Sequence, residues 1–200
     1  MQQQASTLYP TNMVHVDKTL FYVAIHHDFC RPVMQYKISL KLVTAIVIAA
    51  TYASLVIVLQ SISFGPIQVR VADMLSPITY VTGFEGVLGL TLGTLIGNIV
   101  SPYGIFDVVI GTLCTFVYSS INWLLGRVFG YRKWLLPVVA LVDALVVGIF
   151  IGVILQGVIF KAGEPIYLFA LLTGENLVAT IPGALLLVPL IRRYYQRLAR

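Results

Sequence analysis

Histidine is missing from the chain after His27, and only two cysteines occur, Cys30 and Cys114. Without a histidine beyond residue 27, a Ser-His catalytic pair inside the apolar part of the chain is impossible. HExxH, P-loop and paired-Asp motifs are absent as well, which removes metalloprotease, self-powered ATPase and aspartyl protease chemistry. One cysteine in the N-terminal segment and one inside an apolar run make neither a disulfide framework nor a metal site. The expectation is a protein that is not an enzyme and carries no cofactor or metal. Charge is scarce too: Asp, Glu, Lys and Arg make up 10% of the 200 residues, against roughly 25% in ordinary soluble domains.

Apolar residues fill the space left by charge. They make up 58% of the chain, and the mean hydropathy is +0.92. One small core cannot hide that many, so lipid must solvate much of the surface. A net charge of +5 does not point to nucleic acid, because the basic residues form short clusters between apolar runs rather than one basic face.

A spanning helix needs about 20 mostly apolar residues to cross roughly 30 Å of hydrocarbon. Leu42 to Ser61, Ile105 to Leu125, Trp134 to Gln156 and Tyr167 to Ile191 meet that length. Gly86 to Val100 is shorter, and Gly86, Gly89, Gly93 and Gly97 share one helical face that admits a close neighbour. Val69 to Thr82 holds Arg70, Asp73 and Pro77 and by itself also reads as a re-entrant loop. Charge parity makes it a sixth, short or kinked crossing. With six spans and both termini cytoplasmic, Lys18, Arg31, Lys37, Lys41, Arg127, Arg132, Lys133, Arg192, Arg193, Arg197 and Arg200 lie inside, eleven of the 13 basic residues. Five spans would turn a terminal cluster outward, against the positive-inside rule.

The expected fold is therefore an all-α membrane protein, a multi-pass six-transmembrane-helix bundle in the plasma membrane. It comprises a polar, disordered segment over 1–34, the membrane domain over 35–192 and a basic cytoplasmic tail over 193–200. The N-terminal segment has no secretory signal, since Leu20 to Ile25 is too short for an h-region. His26 and His27 beside Asp28 and Cys30 are poorly spaced for a metal, and translation can equally begin at Met1 or Met34.

Ionisable groups at membrane depth cost about 2.5–3.5 kcal/mol each on insertion scales, so those retained are functional candidates. Arg70, Asp73, Asp107, Asp143 and Glu175 qualify, with the amides Asn98 and Asn176 beside them. In the six-span topology most of these converge near the outer face, the pattern of an outward-facing pocket. Other readings stand next to this one. Arg70 and Asp73, three apart, can form a local ion pair, Asp107 can be a first-turn charge favoured by the helix dipole, and Asp143 serves a helix-to-helix hydrogen bond as readily as a ligand. Glu85 falls in an inner turn and is expected to be solvated. Ala45, Ala49 and Ala53 form a small-residue stripe suited to close helix packing, inside the bundle or against a partner.

The stretch Ser63-Phe64-Gly65-Pro66-Ile67-Gln68-Val69-Arg70-Val71-Ala72-Asp73-Met74-Leu75-Ser76-Pro77 resembles the signature of the QueT family, membrane proteins assigned to uptake of queuosine precursors. Gly97-Asn98, Ser101-Pro102-Tyr103-Gly104-Ile105-Phe106-Asp107, Gly111-Thr112-Leu113-Cys114-Thr115 and Gly174-Glu175 extend the resemblance over roughly Met34 to Ile191. The family more often has glutamate at the place of Asp73. The resemblance implies the S-component of an energy-coupling factor (ECF) transporter: a six-helix binding subunit that associates with a transmembrane coupling subunit and two ATPase subunits. It gives the Ala45, Ala49 and Ala53 stripe a partner-docking role.

A deazapurine ligand is flat and offers neighbouring N–H donors that suit a carboxylate acceptor. Arg70, Asp73, Asn98, Asp107, Asp143, Glu175 and Asn176 are the expected polar contacts, with Tyr80, Tyr103 or Phe106 stacking on the ring. The alternatives are an S-component for a flavin, thiamine or a cobalamin precursor, a stand-alone carrier with Asp143 as its proton site, and a noncatalytic assembly subunit. Nucleic acid is not an expected partner.

Overall fold

Apolar side chains recurring without polar interruption leave helix as the one open structure whose backbone groups are satisfied within lipid. The computed structural model describes residues 40–63 and 70–198, and no strand occurs among them. The N-terminal segment 1–34, with its histidines and Cys30, and residues 64–69 of the signature stretch lie outside the described residues. Among the described residues, four helices are long and apolar enough to cross a membrane: Leu40–Val58, Ile105–Phe129, Lys133–Ile159 and Pro165–Tyr194. Phe84–Val100 is a shorter apolar helix.

Helix α1 is Leu40–Val58, followed by the short α2 at Gln60–Ser63. A 3-10 helix then runs Val71–Ile78 and continues into α3, Thr79–Thr82. Helix α4 is Phe84–Gly97 and ends in a 3-10 turn at Asn98–Val100. Helix α5 is Ile105–Phe129. Helix α6, Leu136–Val147, widens into a π-helical stretch over Gly148–Ile159. Helix α7, Pro165–Pro182, passes through a π-helical turn at Gly183–Leu187 into α8, Val188–Leu198. Part of the basic tail read over 193–200 is thus helical.

The segment read as the short crossing is wound tightly rather than kinked into α-helix. At about 2.0 Å rise per 3-10 residue and 1.5 Å per α residue, Val71 to Thr82 extends about 22 Å, some 4 Å more than twelve α-helical residues. Its core-facing residues Ala72, Asp73, Ser76, Pro77 and Ile78 are buried. Three residues per turn also stack Asp73, Ser76 and Thr79 along one line.

Glycine decides how closely the helices meet. A Cβ on Gly89 would lie 2.7 Å from the Ala45 carbonyl oxygen, and one on Gly93 2.8 Å from that of Ala49. The alanine stripe of α1 therefore packs inside the bundle: Ala45, Ala49 and Ala53 are all buried, and the first two lie against the glycine face of α4. This is the packing inside the bundle that the stripe suited as well as a partner. The outward side of α1 is Leu42, Val43, Ile46 and Val47.

The two ends of the bundle differ in charge. At one end the Tyr80 hydroxyl donates to the Gly130 carbonyl at 2.6 Å and accepts from the Arg132 N–H at 2.9 Å. The Arg192 guanidinium lies 3.8 Å above the Tyr131 ring, and Arg127 stands over Trp123. Lipid headgroup depth suits such aromatic and basic pairs. At the other end Gln60 donates to the Val100 carbonyl at 2.9 Å, and Phe160 joins Tyr103 and Phe106 in an aromatic cluster with ring centroids 5.5 and 6.3 Å away.

Valine at Gly93 is expected to push α4 off α1 and to cost about 1–3 kcal/mol by overpacking. A lower melting temperature of the detergent-solubilised protein checks this, and Leu92→Val on the exposed side of α4 serves as the control.

Candidate functional site

The cavity is lined by five elements, each presenting residues at its own helical period. Helix α5 contributes Gly111, Cys114, Thr115 and Tyr118, spaced three and four apart on one face. Helix α7 contributes Leu172 and Asn176, the α6 helix and its π-helical continuation contribute Val147 and Ile151, and α1 contributes Tyr52. Arg70 and Asp73, one 3-10 turn apart, complete the lining. Along α5 the cavity begins about 9 Å and ends about 20 Å from the helix start, on the side of the bundle that holds Arg70. Its volume is about 30 Å³, room for about two water molecules.

Asp73 is the most connected group of the site. Its Oδ1 accepts the Tyr52 hydroxyl at 2.7 Å, and its Oδ2 accepts the Asn176 Nδ2 at 2.8 Å. Three elements far apart in sequence thus meet on one carboxylate. Arg70 pairs with Asp107 at 3.2 Å, not with Asp73 as a local ion pair would require. Asn98 donates from Nδ2 to the Asp107 backbone carbonyl at 3.0 Å, which ties the end of α4 to the first turn of α5. Thr94 and Thr115 join α4 to α5 one turn deeper, at 3.0 Å.

Arg70 is balanced by Asp107, and Asp73 places a second carboxyl group on the cavity edge. Apolar walls at Val147, Ile151 and Leu172 oppose the polar edge, as in most small-molecule sites.

Of the residues expected to bind substrate, Arg70, Asp73 and Asn176 line the cavity together. Asp107 and Asn98 are not among the lining residues; Asp107 pairs with the lining Arg70, and both lie beside the lining Gly111. Tyr103 lies in the aromatic cluster with Phe160. Glu175 is buried and is not among the lining residues. Asp143 belongs to a separate buried cluster, accepting from Ser76 Oγ at 2.5 Å and Asn122 Nδ2 at 2.6 Å. Its environment answers to the helix-to-helix hydrogen bond weighed for it above. Tyr80, considered for stacking, instead fastens the opposite end of the bundle.

Tyr52, Thr115 and Tyr118 were not anticipated as site residues. The available signal was position: Tyr52 falls on the same helical face as Ala45 and Ala49, and Tyr118 follows Gly111 and Cys114 on theirs. Among the described residues no group of three or more His, Cys, Asp or Glu side chains is arranged to hold a metal.

The model of the family described as QueT transporter matches residues 42–192, a stretch that contains every lining residue. The chain belongs to the QueT transporter family. A curated QueT relative, the queuosine precursor transporter QueT of Lactococcus lactis subsp. cremoris (strain MG1363), is 37% identical over 86 residues, or 42% of this chain and 50% of the relative. The alignment thus spans about half the length of that QueT protein. No solved structure matches the chain.

Removing Arg70 alone leaves the Asp107 charge buried without its partner. Arg70→Ala is expected to destabilise the protein by about 3–5 kcal/mol, and Arg70→Ala combined with Asp107→Asn to recover most of that loss. Thermal melts of the single and double variants in detergent measure the difference.

Proposed function

We propose that this QueT family member is the substrate-binding S-component of an ECF-type importer and takes up a queuosine precursor, a 7-deazaguanine base such as queuine, preQ0 or preQ1. The observation that carries the reading is the shared edge of Arg70, Asp73 and Asn176 on a cavity with apolar walls, in a chain of this family. A deazaguanine is flat and uncharged. Its neighbouring ring N–H and amino group are donors suited to the edge of Asp73 and Asn176, and its carbonyl is an acceptor suited to Arg70. A ring system exceeds the 30 Å³ of the cavity, so loading parts its walls.

In this proposal the chain crosses the plasma membrane six times: by α1, by the 3-10 helix with α3, by α4, by α5, by α6 with its π-helical continuation, and by α7 with α8. The end bearing Lys41, Arg127, Arg132, Lys133 and Arg192 is cytoplasmic, which agrees with the positive-inside rule. The Arg70 end then opens outward, where a scavenged nutrient arrives. The chain carries no nucleotide-binding motif, so energy comes from a transmembrane coupling subunit with two ATPase subunits. With the alanine stripe covered by α4, the α1 surface available to a coupling subunit is the side of Val43, Ile46 and Val47. The protein binds and releases its substrate unchanged and is not an enzyme.

Mass spectrometry of the small molecule that co-purifies with the detergent-solubilised protein tests the reading. A 7-deazapurine supports it, and an isoalloxazine or thiazolium compound overturns the substrate assignment. Asp73→Ala is expected to weaken binding of the added base at least about tenfold, the loss of one charge-assisted hydrogen bond.

A further inference from the structure

We infer that Asn176 selects ligands carrying an exocyclic amino group next to a ring N–H, and that Asp73 is the positioning residue that makes it do so. This rests on the reading of the cavity as a deazaguanine site. The two ends of an asparagine amide have nearly the same shape, so the hydrogen bonds around it decide which end faces a ligand. Asn176 donates from Nδ2 to Asp73 Oδ2 at 2.8 Å, and its Oδ1 is turned away from Asp73.

That oxygen is buried and has no hydrogen-bond donor. Its residue lines the cavity and is only 6% exposed. Asp73 cannot swing to release the amide, because Tyr52, buried on α1, donates to its other oxygen at 2.7 Å. The helix turn is also fastened, since the Thr180 hydroxyl donates to the Asn176 backbone carbonyl at 2.9 Å. Asn98 and Asn122 likewise leave Oδ1 without a donor, but neither lines the cavity. Asn176 is the buried amide whose missing donor a cavity ligand can supply.

The chemistry of the ligand follows. A ring N–H takes one of the lone pairs that Tyr52 and Asn176 leave on Asp73, and an amino group one bond further along the same edge meets Asn176 Oδ1. A ring lacking the amino group leaves that oxygen buried and unpaired. An acceptor deprived of its donor is penalised more heavily than a mere lost contact.

Isothermal titration of the full detergent-solubilised chain with 7-deazaguanine and with 7-deazahypoxanthine, which lacks only the amino group, tests the inference. The wild-type protein is expected to prefer 7-deazaguanine by about 10- to 100-fold. Asn176→Ala collapses that ratio to within about threefold. Asp73→Asn collapses it as well, because the new amide can donate to Asn176 and let it turn over. Asp73→Glu keeps the acceptor and retains a preference even where overall affinity falls. A wild-type protein that binds both bases equally overturns the inference and leaves the substrate reading standing. A wild-type protein that binds neither base overturns both. The wild-type ratio requires no variant to fold.

Discussion

The buried carboxylate of Asp73 holds the functional half of this bundle together. Lipid offers no alternative partner for a polar group, so the hydrogen bonds from Tyr52 and Asn176 cannot be exchanged for water at low cost. Because those donors sit on α1 and α7, satisfying one side chain fixes three elements in register. The 3-10 winding makes this possible. It places Ser76 in line with Asp73 one turn on, where Ser76 donates to Asp143 on α6. One narrow helix thereby engages helices on several sides through two buried acids.

Around that polar centre, the packing relies on small residues. Lipid tails are as apolar as leucine, so helices gain little by hiding leucine from them and more by approaching closely. Gly89 and Gly93 of α4 against Ala45 and Ala49 of α1 are such an approach, and Gly183 of the π-helical turn after α7 is another. A Cβ on Gly183 would fall 2.1 Å from the Met74 carbonyl oxygen of the 3-10 helix. The exposed faces, by contrast, carry Leu, Ile and Val of no evident specificity. The small residues thus mark close contacts inside the bundle.

The two acids of the 3-10 helix neighbourhood differ in use. Asp73 borders the cavity, its two oxygens accepting from Tyr52 and Asn176. Asp143 has both oxygens engaged by Ser76 and Asn122 and joins the 3-10 helix to α5 and α6 away from the cavity.

Much of this was legible in advance. Hydropathy run length identified the four long helices to within a few residues at each end, because insertion depends on local composition. The signature around Arg70 and Asp73 pointed to a segment that lines the cavity, since a charge kept at membrane depth is costly wherever its partner lies. Partner identity was not legible. Nothing in the spacing of Arg70 says that it pairs with Asp107, 37 residues on, rather than with Asp73, or that Asn176 meets Asp73 across 103 residues. The alanine stripe likewise announced close packing but not which helix would fill it. The sequence by itself determined that the chain is helical, apolar and in need of an internal home for a few charges, because these are properties of short stretches. Only the tertiary structure decided which charges meet, which amide reaches Asp73 and which acid borders the cavity, because those depend on how distant helices rotate and pack.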